Sequence, residues 1–139
     1  MEKGAKNILI IEDDELFANK IIFFLAELNC STSSVTTAAR GMYSLSVNKP
    51  NIVFLDNKLP RIEGIEVVSL FKEISPTTKI ALMSSVFTQE DKLKAFDSGV
   101  DFVIDKQELT KDDLVNIVLG IDNKFSIKAK SSRLLPQEN

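Results

Sequence analysis

The middle of the chain reads Ile52-Val53-Phe54-Leu55-Asp56-Asn57-Lys58-Leu59-Pro60-Arg61-Ile62-Glu63-Gly64. Its first four residues are apolar without polar alternation, which predicts a strand covered on both faces and therefore a parallel strand flanked by helices. Asp56 stands where this strand ends, and Pro60 and Gly64 shape the loop behind it. A carboxylate at the end of a buried strand predicts either a ligand or a nucleophile.

Other apolar runs predict the rest of the sheet. Strands are expected at residues 8–11, 80–83 and 102–104, with a weaker one within residues 30–36, where Ser and Thr dominate. Apolar residues at helical spacing lie between the runs, and Thr88 to Asp91 and Thr110 to Asp113 resemble capping boxes that begin helices. Gly99 is expected to end the fourth helix. Five strand–helix units predict a doubly wound, five-stranded parallel sheet in an α/β fold.

Composition excludes several classes of function. The 139 residues suffice for one domain, and a net charge of -3 gives no reason to expect binding to nucleic acid. The N-terminus lacks a signal-peptide pattern, and no apolar run is long enough to cross a membrane. A single cysteine permits no internal disulfide, so a reducing, cytoplasmic setting is expected.

Histidine is absent from the sequence. Serine and cysteine hydrolase machinery that depends on His is therefore excluded, as is an imidazole ligand for zinc. The chain also cannot form a phosphohistidine of its own, so any such donor must be a different molecule.

Four chemically matched groups follow four of the predicted strands. They are the acidic cluster Glu12-Asp13-Asp14 after strand one, Asp56 after strand three, Ser84-Ser85 after strand four and Lys106 after strand five. Ligands of open α/β sheets bind beyond the carboxyl ends of the strands, so these groups are expected to face one crevice.

The chemistry of this set favours phosphoryl transfer. Carboxylates placed close together repel one another unless a cation lies among them, and oxygen ligands without His or Cys suit Mg²⁺. Lys106 supplies a second positive charge. One carboxylate could then attack phosphorus in line, and the Ser84 hydroxyl could hydrogen-bond the bound phosphoryl group.

Residues 7–124 resemble the receiver (response-regulator) domain of two-component signalling. The resemblance rests on the acidic pair Glu12-Asp13, on Asp56 followed by Pro60 and Gly64, on Ser84 and on Lys106. It implies the (βα)5 flavodoxin-like receiver fold, with a receiver domain at residues 1–124 and a polar tail or linker stub at residues 125–139. Whether the chain acts alone or belongs to a larger regulator stays open.

The resemblance also implies a function. Asp56 would accept a phosphoryl group from a sensor histidine kinase or a histidine phosphotransfer protein, assisted by Lys106 and Ser84. Asp13, Asp56 and the backbone carbonyl of Lys58 would bind Mg²⁺ directly, and Glu12 would bind it through water. The chain would catalyse only its own phosphorylation and dephosphorylation, and would switch affinity for a downstream effector. Dimerisation through helix four, strand five and helix five is left open.

The sequence departs from the family pattern at three positions. Val103 stands where an aromatic switch residue is frequent, with Phe102 one position earlier, so a rotating Tyr is not available there. Gln107 replaces the usual Pro after the lysine, and Ser85 replaces a usual Ala or Gly. Lys58 and Val86, which flank the site, are expected to affect the lifetime of the phosphoryl group.

Other interpretations compete with a phospho-switch. The acidic cluster alone could simply favour a helix N-terminus. A Mg²⁺-dependent phosphatase with an Asp nucleophile would place a second acid two residues later, where this chain has Lys58. A nucleotide or flavin binder would need a phosphate-binding loop after strand one, where the acids repel phosphate. A phosphorylation-independent docking module with a receiver fold remains the alternative.

Overall fold

The apolar runs are the central strands of one parallel sheet. In the computed structural model, which describes residues 6–121, every side chain of residues 8–11 and 52–55 is less than 5% exposed. Such strands must lie between two layers of helices. The strands are β1 Lys6–Ile11, β2 Cys30–Val35, β3 Ile52–Asp56, β4 Lys79–Ser84 and β5 Phe102–Asp105. Their order is β2-β1-β3-β4-β5 and all neighbours are parallel, which confirms the predicted doubly wound sheet.

Five helices connect and cover the strands. They are α1 Glu15–Leu25, α2 Ala38–Asn48, α3 Val68–Ile74, α4 Gln89–Ser98 and α5 Lys111–Leu119, and a 3₁₀ turn at Gly64–Val67 precedes α3. The predicted capping boxes are confirmed, because Thr110 and Asp113 exchange hydrogen bonds at the start of α5, as Thr88 and Asp91 do before α4. Gly99, which follows α4, has a positive φ of 100° and ends the helix as expected.

The sheet separates two apolar cores. One lies beneath α1 and α5 and contains Ile8, Ile21, Phe54 and Leu114 among its buried side chains. The other lies beneath α2, α3 and α4, and its largest side chain is Phe71. Alternate residues of one strand therefore enter different cores, a consequence of the two-residue period of β structure.

A short hairpin follows β3. Lys58–Leu59 pairs with Ile62–Glu63, and Arg61 between them has a positive φ of 71°. The hairpin returns the chain to Gly64, whose N–H donates to the Asn57 carbonyl at 2.8 Å. A Cβ at position 64 would collide with the Asp56 carbonyl oxygen, so the close approach of these two segments requires glycine.

The predicted tail, residues 125–139, and the end of the predicted domain, residues 122–124, lie outside the described residues. Within residues 6–121, no helix has the length and apolar character that crossing a bilayer demands.

Candidate functional site

The predicted site residues lie together at the carboxyl edge of the sheet. Parallel registers place Ile11 beside Leu55, Asp56 beside Met83, and Ser84 beside Asp105, so that the carboxyl ends of β1, β3, β4 and β5 meet. They surround a cavity of about 460 Å³. Its lining consists of Glu12, Asp13, Asp14, Asp56, Lys58, Ser84, Ser85, Val86 and Lys106.

Lys106 joins the two buried carboxylates. Its Nζ lies 2.7 Å from Oε1 of Glu12 and 3.2 Å from Oδ1 of Asp56. Glu12 is 1% exposed and Asp56 is 2% exposed, so neither charge has much access to water. Buried carboxylates need such a partner, because an unpaired charge in the interior is strongly destabilising.

The shared lysine does not fully offset the burial of Glu12. Burial raises the pKa of Glu12 to about 7, and the Asp56 carboxylate adds to the rise, while Lys106 opposes it. Burial acts to lower the pKa of Lys106, but contact with Glu12 and the charge of Asp56 outweigh it, so that pKa lies above its ordinary value. Near neutral pH, Lys106 is therefore charged while Glu12 exchanges a proton.

Glu12, Asp13 and Asp56 fit a small, hard cation. Each offers one carboxylate oxygen, and these oxygens lie within 4.8 Å of one another. Among the described residues, the partner of the buried Oε1 of Glu12 is the Lys106 ammonium, 2.7 Å away. Three oxygen donors with no nitrogen or sulfur among them suit Mg²⁺ or Ca²⁺.

One residue of the acidic cluster Glu12-Asp13-Asp14 stabilises the start of a helix, as the helix-terminus interpretation predicted. Asp14 is the N-cap of α1, and its Oδ1 accepts hydrogen bonds from the backbone N–H groups of Leu16 and Phe17. The helix-terminus explanation thus holds for Asp14, whereas Glu12 and Asp13 precede the helix and face Asp56.

The loop behind Asp56 is fixed by Asn57, which sequence reasoning did not single out. Asn57 donates its N–H to the Met83 carbonyl, and its Oδ1 accepts from the N–H of Ile65. The N–H of Lys58 in turn donates to Oδ1 of Asp56 at 3.2 Å. An Asn immediately after a strand-end Asp was the available signal, since Asn often bonds nearby backbone groups in turns.

Ser84 lines the cavity, but its hydroxyl is bonded to the following loop. It donates to the Val86 carbonyl at 3.0 Å and accepts from the Val86 N–H at 3.3 Å. The Ser84 carbonyl accepts from the N–H of Lys106 at 2.9 Å, which ties the end of β4 to the end of β5. Ser85 and Val86 are both exposed at the mouth of the cavity.

Two of the three departures from the family pattern, Val103 and Gln107, have structural counterparts. Val103 is buried in the core beneath α2, α3 and α4, whereas Phe102 packs against the core beneath α1 and α5. Phe102 therefore cannot replace an aromatic residue at position 103, because the two side chains lie on opposite faces of the sheet. The N–H of Gln107 donates to Oδ1 of Asp105 at 2.9 Å, a bond that proline could not make.

Comparison with known proteins identifies the family of this chain. The family model described as "Response regulator receiver domain" matches residues 8–119. Transcriptional regulatory protein QseB of Haemophilus influenzae is 29% identical over 94 residues, which are 68% of this chain and 42% of that protein. Transcription factor prr1 of Schizosaccharomyces pombe is 25% identical over 132 residues, 90% of this chain and 24% of that protein. The chain thus spans less than half the length of these curated relatives.

A solved structure shares the fold. It is a response regulator protein from Burkholderia pseudomallei, described with a phosphorylated aspartic acid, a calcium ion and citrate. It superimposes with a TM-score of 0.77 at 14% identity, over 94% of this chain and 74% of its own. The family model matches most of the chain, and the sheet order and the site at the strand ends agree with it. This chain therefore belongs to the response regulator receiver domain family.

Proposed function

We propose that this chain accepts a phosphoryl group on Asp56 from a phosphohistidine of a sensor histidine kinase or a phosphotransfer protein, and that phosphorylation changes its affinity for a downstream effector. The observation that carries the proposal is the position of Asp56. It is a buried carboxylate that opens on a cavity, contacts a lysine ammonium and belongs to a cluster of three acids.

The transfer requires one oxygen of Asp56 to attack phosphorus. Lys106 and the Lys58 N–H both contact Oδ1, so Oδ2 is the attacking oxygen. As the new O–P bond forms, the P–N bond breaks, its electron pair returns to the imidazole of the donor, and that imidazole takes up a proton. The Lys106 ammonium stabilises negative charge on the phosphoryl oxygens during the transfer.

The acids would hold Mg²⁺, with Asp13, Asp56 and the Lys58 carbonyl as direct ligands and Glu12 bonded through water. When bound, the ion neutralises the charge of the acids and of the incoming phosphoryl group. The Burkholderia structure, described with both a phosphorylated aspartic acid and a calcium ion, supports a site of this kind.

Phosphorylation would bias a two-state element at the face formed by α4, β5 and α5. Ser84 is the link: its hydroxyl leaves the Val86 backbone and bonds the phosphoryl group, which frees the loop before α4. The buried Val103 means that this change proceeds without an aromatic rotation at that position. We place the contact of a dimer at the same face.

We further propose that residues 1–124 form the receiver domain and that residues 125–139 are a tail or linker. The domain acts in the cytoplasm as a signalling module, and its only chemistry is its own phosphorylation and dephosphorylation. It contacts a kinase and an effector rather than nucleic acid or a membrane.

The test is intact mass spectrometry after incubation with acetyl phosphate and Mg²⁺. We expect one phosphoryl adduct on the wild type, removed by hydroxylamine as an acyl phosphate should be, and none on Asp56→Asn or in EDTA. Asp105→Asn is the matched control, because it alters a carboxylate at the end of β5, another strand of the same sheet, yet keeps an oxygen to accept from Gln107. That variant should be phosphorylated like the wild type.

An adduct that survives in Asp56→Asn would place the acceptor elsewhere. No adduct on the wild type, from acetyl phosphate or from histidine kinases, would favour the phosphorylation-independent docking module.

A further inference from the structure

Lys106 has a third neighbour besides its two carboxylates. The centre of the Phe17 ring lies 4.7 Å from Nζ of Lys106, with the ammonium over the ring. The Lys106 side chain is only 13% exposed, so this contact is largely shielded from water. A cation within about 6 Å of an aromatic ring centre is attracted by the negative ring face, more strongly when it is desolvated.

The start of α1 explains why the ring is there. Phe17 is the third residue of the helix, and its N–H is capped by Asp14, so the helix begins directly after the acidic cluster. Leu16, one position earlier, is 82% exposed, whereas Phe17 is half-buried and packs against the core beneath α1 and α5. The ring is therefore held by the core on one side and presented to Lys106 on another.

A second lysine approaches the same ring. Nζ of Lys20 lies 5.7 Å from the centre of Phe17 and 5.7 Å from the centre of Phe24. Lys20 is exposed, so water competes with its ring contacts more effectively than with that of Lys106. At Phe17, the contact with Lys106 is shorter than the contact with Lys20 and less exposed to water.

We propose that Phe17 is a positioning residue that holds the Lys106 ammonium at Asp56, an inference that rests on the proposed phosphoryl transfer for its functional consequence. Attraction to an ion-pair partner changes when that partner gains a phosphoryl group. Attraction to a neutral ring does not. Phe17 therefore keeps the Lys106 ammonium beside Asp56 while Asp56 is phosphorylated.

The first test replaces Phe17 with phenylalanines carrying one, two and three fluorines. These rings keep nearly the same shape, but each fluorine weakens the negative face. We expect the rate of phosphorylation by acetyl phosphate to fall stepwise, by about 2- to 5-fold in total, the range of a single such contact. The matched control is the same series at Phe24. That ring lies on the same helix and contacts Lys20 rather than Lys106, so its fluorination should leave the rate unchanged.

A flat series at Phe17, or equal declines at both positions, would overturn the functional part of the proposal. A change in packing would not account for a decline at Phe17 alone, because each fluorine adds little volume and the Phe24 series introduces the same change.

The second test does not depend on phosphorylation. A ring face over the ammonium should shift the NMR signals of the Lys106 ε-methylene protons upfield, and Phe17→Leu should return them toward ordinary lysine values. Phe17→Tyr, which keeps the ring, should retain the shift. Signals unaffected by Phe17→Leu would refute the positioning role even in a protein that is phosphorylated. If these protons are shifted upfield but no donor phosphorylates the protein, the contact between Phe17 and Lys106 is supported and the proposed function is refuted.

Discussion

Nζ of Lys106 lies 2.7 Å from Oε1 of Glu12 but 3.2 Å from Oδ1 of Asp56, so the closer partner of the lysine is the glutamate. The acid that we propose as phosphoacceptor thus shares its counter-ion with a neighbour that titrates near neutrality. Protonation of Glu12 leaves Lys106 with a single charged carboxylate partner. The protonation of Glu12 is therefore coupled to the strength of the Lys106–Asp56 contact.

Glu12→Gln should change how stability depends on pH. The pKa of Glu12 rises from 4.5 to about 7 on folding, so the folded state binds the extra proton between these values and stability falls as pH rises through that window. Gln cannot titrate. We expect the wild type to lose about 3 kcal/mol relative to this variant between pH 4.5 and 7.5, measured by urea unfolding in EDTA.

Glu15→Gln is the control for that experiment, because Glu15 is an exposed acid in the first turn of α1. Its pH profile should follow the wild type. Parallel profiles for wild type and Glu12→Gln would contradict the assignment of the neutral titration to Glu12.

Asp13→Asn should weaken Mg²⁺ binding and spare the fold. Asp13 is the exposed member of the acidic cluster, so removing its charge costs little stability in EDTA but deletes a metal ligand. We expect at least a tenfold loss of Mg²⁺ affinity by calorimetric titration. Asp14→Asn removes an equal charge one position later and keeps an N-cap as good as Asp, so its affinity should fall much less. Similar losses in both variants would indicate a general charge effect.

Gly64→Ala should damage both the fold and the site. The added Cβ would meet the Asp56 carbonyl oxygen and lie 3.1 Å from the Asn57 Cα, so the loop behind Asp56 must move. We expect a loss of about 2 kcal/mol or more in unfolding free energy, together with slower phosphorylation. Gly120→Ala is the comparison, since that glycine has a φ of 79° and open space around it. It should cost about 1 kcal/mol from backbone strain alone and leave phosphorylation intact.

Val103→Tyr should not restore the aromatic switch that the family often has. Val103 is 2% exposed in the core beneath α2, α3 and α4. Protein interiors are closely packed, so a side chain as large as Tyr forces its neighbours to shift. We expect a destabilisation of about 1 to 3 kcal/mol by thermal or urea unfolding. Phe102→Tyr adds one hydroxyl to a half-buried ring on the opposite face and should change stability by less than about 0.5 kcal/mol. A Val103→Tyr protein as stable as the wild type would show that this core contains room for a moving ring.

The amino-acid pattern was enough to predict the sheet and the location of the site. An unbroken apolar run such as residues 52–55 is shielded from water only if both of its faces are buried, which favours parallel strands between helices. Once the strands are parallel, residues that directly follow them must share one edge, so Glu12, Asp56 and Lys106 were placed together by chain position alone.

The contacts of each of these side chains could be seen only in the folded chain. The preference of Lys106 for Glu12 and the position of the Phe17 ring at the Lys106 ammonium both depend on side-chain directions set by packing between distant segments. The same holds for Gly64, whose need to be glycine arises from a collision with Asp56 that exists only once the hairpin has folded back. Local patterns fix periodicity and strand ends, whereas contact distances follow from how helices and loops from different parts of the chain pack around the sheet.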